Sequence, residues 1–504
     1  MVFATVAVCI AALVFLAYLV FRPKGNSTLP VPEGHWLWGN IFQFSCPRSD
    51  LLATRWSKEL GAIFRLRLVN KNYVILNDYN SIHTAMVKKS KDFAGRPMHH
   101  GNRARYLYEY ETSILVASPS PQWKTLRKSV HSNVKVYEAG LNKVEAVNMS
   151  VIAGLIGDFR ARNGEAFNPQ DNIYNAVMNI ICVFLVGKKY RIDSEIFQLF
   201  KKVEQTTLTV LGPGAKGAEL DVMWFLRFFG HKTFKKLTEL RQWRRQLWAM
   251  TKQDLNSRTE NDGEYGKGVI GALLESYQGS DDKLIKEINI MLTFQDLIFA
   301  GTSTTANSTQ AFLNLMINYP EVQKKLQAEV DDVIGDSRPV SLKDRAMMPY
   351  TRALIFELLR YTSIVAMGVP HMASVDSSLD GHVIEKGTPV ITNLWALHHD
   401  EAFWKDPFVF RPERFLDSDM QLLTADHPYR KHLMPFGAGT RVCLGESLAL
   451  GRLFLLFTSI TQIFDIKVGT KKVDADARDY LSGVNLQSPA YDVRLVSRNE
   501  HLFA

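Results

Sequence analysis

Residues 283–319 constrain the fold most: they run thirty-seven positions without a proline, with apolar residues at helical spacing. A helix of that length would extend about 55 Å at about 1.5 Å per residue, enough to cross a whole domain. Pro320 is placed to open a further helix at its first position, and Gly335 to close it. The pattern over 80–370 is mostly helical, and a Leu- and Phe-rich helix is expected over 444–464. Strand signals fall in two places. Residues 62–78, AIFRLRLVNKNYVILND, alternate around an Asn-Lys-Asn turn and predict a hairpin; 372–394 is strand-like, with turns at Asp380-Gly381 and Lys386-Gly387. No internal repeat or low-complexity linker interrupts the body. The expectation is a mainly α, single-domain body over 41–504 with small β-sheets.

Ahead of it, residues 2–21 are uncharged and long enough to span a bilayer, so 1–21 reads as a transmembrane anchor. Arg22 and Lys24 follow, and positive charge there keeps the C-terminal bulk cytoplasmic. Residues 22–40 form a basic, proline-rich tether, expected to be stiff and extended through 29–40. With the bulk cytosolic, the sequons at Asn26, Asn148 and Asn307 carry no glycan. Cys9, Cys46, Cys182 and Cys443 are too few and too scattered for a disulfide framework, and no C-x-x-C suggests zinc. A net charge of +9 suits an anionic membrane or an acidic partner; the scattered basic residues do not suit nucleic acid. GPGAKG at 212–217 matches G-x-G-x-x-G, but helix rather than strand precedes it, so it reads as an ordinary glycine-rich loop.

FGAGTRVCLG, residues 436–445, fits F-x-x-G-x-R-x-C-x-G at Phe436, Gly439, Arg441, Cys443 and Gly445. Chance would produce it roughly once in 10⁴ chains of this length. Each position has a task if Cys443 is a thiolate ligand to haem iron. A thiolate pushes electron density onto iron and favours O–O cleavage. It needs positive charge and N–H donors, which the turn and the following helix N-terminus supply. Arg441 can reach a haem propionate, Phe436 can shield the sulfur, and Gly445 can let the helix backbone approach the porphyrin.

On these residues the chain resembles the cytochrome P-450 superfamily, from the anchor to about residue 490. That likeness implies haem b as cofactor, with Cys443 the axial ligand to iron. Glu357 and Arg360 resemble the family's E-x-x-R, and Arg414 in PERF its third, buried partner; these hold the fold. Trp123 and Arg127 in WKTLR, Arg96 in GRP and His371 in VPH resemble its propionate contacts. AGTSTT resembles its oxygen groove. There Ala300 and Gly301 line a widened helix, and Thr304 hydrogen-bonds oxygen and relays protons. Ser303 stands where the family usually has Asp or Glu, so proton delivery is expected to be slower and to leak peroxide.

The resemblance implies a monooxygenase on the cytosolic face of the endoplasmic reticulum membrane, using O2 and electrons from NADPH through a separate flavoprotein reductase, with cytochrome b5 as a further partner. The reductase is expected on a basic face near Lys124, Arg127, Lys128 and Lys431. The apolar lining Phe299, Ile364, Val365 and Val484 suits a lipophilic substrate. Residues 370–415 and 221–237 look most like the steroid 17α-hydroxylase/17,20-lyase branch. That branch fixes the steroid's far oxygen with an asparagine on a pocket helix; 197–212 holds none, and Thr209 is nearest. An aryl-hydrocarbon, xenobiotic or fatty-acid hydroxylase, a reductase-independent peroxide isomerase or dehydratase, and a non-catalytic haem binder are the alternatives.

Overall fold

The computed structural model describes residues 28–502 except 70, 98–101, 140, 212–216, 222, 259–265 and 280–283, and the backbone alone at 135–139, 141–144 and 218. The expected anchor, Arg22, Lys24, Cys9, Asn26 and most of GPGAKG lie outside these residues. Among the described residues no helix is long and apolar enough to cross a membrane.

The longer helices are α1 Ser49–Leu60, α2 Pro121–Ala139, α3 Leu141–Arg160, α4 Gln170–Val186, α5 Glu195–Leu211, α6 Lys232–Asn256, α7 Gly268–Gln278, α8 Glu287–Asn318, α9 Pro320–Val333, α10 Pro349–Thr362 and α11 Glu446–Ile463. The long helix predicted over 283–319 is α8. It starts at Glu287 because Lys286 is extended and its N–H is capped by Asn289 Oδ1 at 2.8 Å. Most of α8 is buried, and it threads the main core between α4, α10 and α11. Pro320 is the first residue of α9; Gly335, at φ +72°, closes it through an N–H bond to Val330 O. Gly301 faces α4, where a Cβ would stand 2.5 Å from Ile181 Cδ1. α8 stays α-helical there. The glycine is therefore accounted for by helix packing, not by a widened turn.

The four-stranded sheet runs β1 Ile63–Leu68, β2 Lys71–Leu76, β6 Pro389–Thr392, β3 His371–Met372, with β2 and β6 parallel. The hairpin turn falls one residue earlier than expected: Leu68 pairs with Lys71, so Lys71 and Asn72 belong to β2. β4 Ser377–Leu379 pairs with β5 His382–Ile384 across Asp380-Gly381, both at positive φ; β7 Phe464–Val468 pairs with β8 Val493–Ser497. Residues 29–34 have no regular structure, and His35 and Gly39 then pair across a turn, so the segment is not extended through 40 as expected. Leu29 is buried, and Arg65 N–H bonds Pro30 O. Asn148 and Asn307 are buried, which leaves no room for a glycan at either.

Glu357 and Arg360, one turn apart on α10, form a bidentate pair with both contacts at 2.8 Å and no exposed surface. Arg414 Nε adds a bond to Glu357 Oε1 at 3.2 Å. The remaining donors are spent on backbone carbonyls: Arg360 on His398 O and Pro407 O, Arg414 on Trp404 O and Lys405 O. His398 extends the network. Its Nε2 accepts Met434 N–H at 3.0 Å, and its Nδ1–H then donates to Ser363 Oγ.

Glu357→Ala would strand two buried guanidiniums and is expected to cost about 3–5 kcal/mol, read by chemical denaturation. Burial, then Arg360, pushes His398 down to about 3 and His399 well below its ordinary value. Their neutral forms stabilise the fold fully above pH 6.5, and that contribution is lost as pH falls through the unfolded-state value. Each is expected to cost about 2 kcal/mol by pH 5, and melting curves at pH 7 and 5 should show a smaller drop for His398→Gln.

Candidate active site

The segment before α11 turns sharply because Gly437 and Gly439 take φ near +68° and +67°. Gly439 admits no side chain: a Cβ would lie 1.7 Å from Met86 O. Cys443 N–H returns to Phe436 O at 2.9 Å and closes the loop, and half-buried Phe436 packs against the main core. Cys443 keeps an accessible face while protein atoms crowd around its thiol. Burial and then Glu446 push the thiol up, while the Gly445 N–H and Arg127 oppose them. The protein alone does not favour a bare thiolate; a cation bound to the sulfur would.

Around it stand buried donors. Arg96 Nη1 bonds Val369 O and Pro370 O at 2.9 and 2.8 Å, and its buried Nε has no acceptor. Arg441 spans Ala94 O and Ala117 O and stacks 4.0 Å over the Trp123 ring. Arg127 bonds Val442 O at 2.7 Å and lies 5.6 Å from the same ring. The Trp123 indole N–H goes to Ile114 O at 3.1 Å, so Trp123 serves as a platform for two guanidiniums rather than as a free donor. His371 Nδ1 meets Phe93 O at 2.8 Å; burial and Arg96 keep the ring neutral, which makes Nε2 an acceptor until an anion arrives.

These residues fit a haem. Burial and mutual repulsion push Arg441 down to about 8 and Arg96 to about 9, so the cluster calls for anionic charge, and two propionates carry it. Gly445 has an ordinary φ of −99°, and a Cβ there would meet nothing within 4 Å. The protein itself does not require glycine at that point, whereas a flat ring lying against it does. Among the described residues no group of three His, Cys, Asp or Glu side chains gathers as a metal site.

On α8, Ala300 is exposed in the middle of a buried helix and Thr304 is half-buried, its Oγ1 on Ala300 O at 2.7 Å. Thr302 turns to Met178 Sδ on α4. Ser303 is buried; its oxygen accepts Asn485 Nδ2–H at 2.8 Å, and its hydroxyl reaches Phe299 O only at 3.3 Å. Leu486 ties the end of α10 to α8: its N–H bonds Ile364 O and its O accepts Asn307 Nδ2–H. Thr209 stands elsewhere. It lies with Lys202 and Gln205 on the exposed stripe of α5, opposite the buried stripe of Phe200, Val203, Glu204 and Thr207.

Sequence reasoning passed over Asn485, His398 and Glu204. Only Glu204 left a signal, a carboxylate on the apolar stripe of an amphipathic helix. A surface cleft lined by Tyr190 and Gln198 lies at the start of α5 and has none of these groups.

A family model for Cytochrome P450 matches residues 29–495, and the chain belongs to that family of haem-thiolate monooxygenases. Cytochrome P450 2E1 of Mesocricetus auratus is 30% identical over 483 residues, covering 95% of this chain and 94% of the relative. Steroid 17-alpha-hydroxylase/17,20 lyase of Squalus acanthias is 30% identical over 464 residues, covering 90% and 89%. A zebra fish cytochrome P450 solved with progesterone superposes with a TM-score of 0.77 at 28% identity, covering 89% of this chain and 99% of that one.

Cys443→Ser is expected to abolish the thiolate signature in the reduced, carbon-monoxide-bound absorption spectrum, with the far-ultraviolet dichroism of the protein retained.

Proposed function

We propose that this chain hydroxylates a lipophilic small molecule, with a steroid as the leading candidate, on the cytosolic face of the endoplasmic reticulum membrane. The observation that supports the reading is the accessible face of Ala300–Thr304 in the middle of the otherwise buried α8, which Phe299, Ile364, Val365 and Val484 would line. An apolar lining of this kind aims a C–H bond and keeps water out. Haem, when bound, supplies oxygen activation, and thiolate donation favours O–O cleavage. Cys443 would hold the iron; Arg96, Arg127, Arg441 and His371 would hold the propionates; Thr304 would present its hydroxyl to the reacting oxygen. The names of the shark hydroxylase and the progesterone-bound structure support the steroid choice. The hamster relative supports a xenobiotic hydroxylase as the second reading.

Residues 1–21 would anchor the chain. Exposed Trp36, Phe42, Phe225, Phe228 and Phe229 offer the apolar surface that a body resting on lipid uses. The reductase would dock where Lys124, Lys128 and Lys431 are exposed. Arg345, Arg352 and Arg430 act on one another and add positive charge to that side.

Reconstitution with reductase, NADPH and progesterone or pregnenolone should yield hydroxysteroid. Absence of product with NADPH still consumed would move the assignment to other lipophiles.

A further inference from the structure

Ser303 leaves α8 without an acid beside Thr304, yet a carboxyl group stands next to it. Glu204 comes from the inward stripe of α5 and is 1% exposed. Tyr174 on α4 donates to Glu204 Oε2 at 2.5 Å. Glu204 Oε1 is buried with no aligned partner, while the Ser303 hydroxyl is near enough to stabilise the charged carboxylate. Asn485 fills a lone pair of Ser303 Oγ, and the serine proton has only the long bond to Phe299 O at 3.3 Å to give up in turning to Oε1. A carboxyl group oriented by a tyrosine and set near the serine that precedes the threonine has the parts of a proton source.

We infer that Glu204 is a positioning residue for proton delivery, bringing from α5 the acid that position 303 lacks. A proton leaves Glu204 Oε1 for Ser303 Oγ as the serine proton moves on through solvent toward Thr304. The carboxylate left behind keeps the Tyr174 and Ser303 hydroxyls as donors and recovers a proton from solvent, so one proton enters for each one delivered. Asp171, one turn before Tyr174, is exposed and paired with Lys201.

The protonation state suits the task. Burial raises Glu204 to about 7, and Tyr174 and Ser303 hold it from going higher. The groups facing it are Tyr174 from α4 and Ser303 from α8. Lys201, 5.5 Å from the Tyr174 ring, and Asp171 act on the tyrosine instead. Above pH 7 the acid form is depleted, and peroxide should rise with pH.

The test uses the holoenzyme, Glu204→Gln, and Glu204→Gln combined with Ser303→Asp. Glutamine keeps the shape and the Tyr174 contact but carries no transferable proton. Infrared difference spectra should show a protonated carboxyl band in the wild type that titrates near neutral pH, vanishes in Glu204→Gln and shifts in Ser303→Ala. With reductase and NADPH, Glu204→Gln should lower the product-to-peroxide ratio about tenfold, below the full range of general-acid catalysis because solvent remains a proton source. It should also flatten the pH dependence, and adding Ser303→Asp should restore the ratio. No such band, or a ratio and pH profile in Glu204→Gln equal to wild type, would overturn the inference. The activity arm rests on the monooxygenase reading. A wild type that consumes no NADPH would defeat that reading and this role together, a failure distinct from any difference among the variants.

Discussion

The buried Glu357–Arg360–Arg414 cluster is the constraint on which the Cys443 loop depends. A single carboxylate holds two guanidiniums, and both would be intolerable in a dry interior if their other N–H groups were not spent. They are spent on carbonyls of the segment 398–409, which holds only the one-turn helix Glu401–Trp404 and short turns between His398 and Val409. The arginines thus do for that segment what a β-ladder does for a strand. His398 carries the order on to Met434, two residues before Phe436, and Phe436 in turn closes on Cys443. The ligand's position traces back through named bonds to α10.

The cluster of Arg96, Arg127 and Arg441 shows the opposite arrangement. These arginines are also held by backbone carbonyls, but burial leaves them mutually repelling rather than paired with a carboxylate. Repulsion of this sort is sustained because the carbonyls and the Trp123 face fix the guanidiniums in place. The two clusters use one residue type for different ends: one is neutralised and rigid, the other is short of negative charge and ready for an anion.

Much of this was legible in the chain. Residues 436–445 announced a thiolate because turn glycines, arginine and cysteine at fixed spacing leave few alternatives, and α8, α9 and the β4–β5 turn followed from proline, glycine and apolar period. What stayed hidden depended on helix phase and distant packing. Gly301 looked like a groove residue until Ile181 proved to occupy the space beside it. Thr209 seemed a pocket residue by position alone, and only the phase of α5 shows it on the outer stripe. Ser303 read as a missing acid because sequence sees its own helix and not α5, about a hundred positions earlier.

Placing the acid on α5 bears on substrate choice. Of the inward polar groups among the described residues of α5, Thr207 is engaged with Val203 O at 2.7 Å and Glu204 Oε2 with Tyr174, and the proposed relay reserves Glu204 Oε1 for Ser303. On α8 and the 484–486 turn, Ser303, Asn307 and Asn485 are likewise committed to one another or to backbone. A substrate oxygen would have to displace one of these bonds to gain one, at a cost comparable to the gain. Orientation then falls to the shape of the apolar lining. Discrimination by shape alone separates neighbouring hydrocarbons only modestly, whereas a dedicated hydrogen bond separates analogues sharply. On the proposed reading, a site built in this way would accept a range of lipophiles of similar outline.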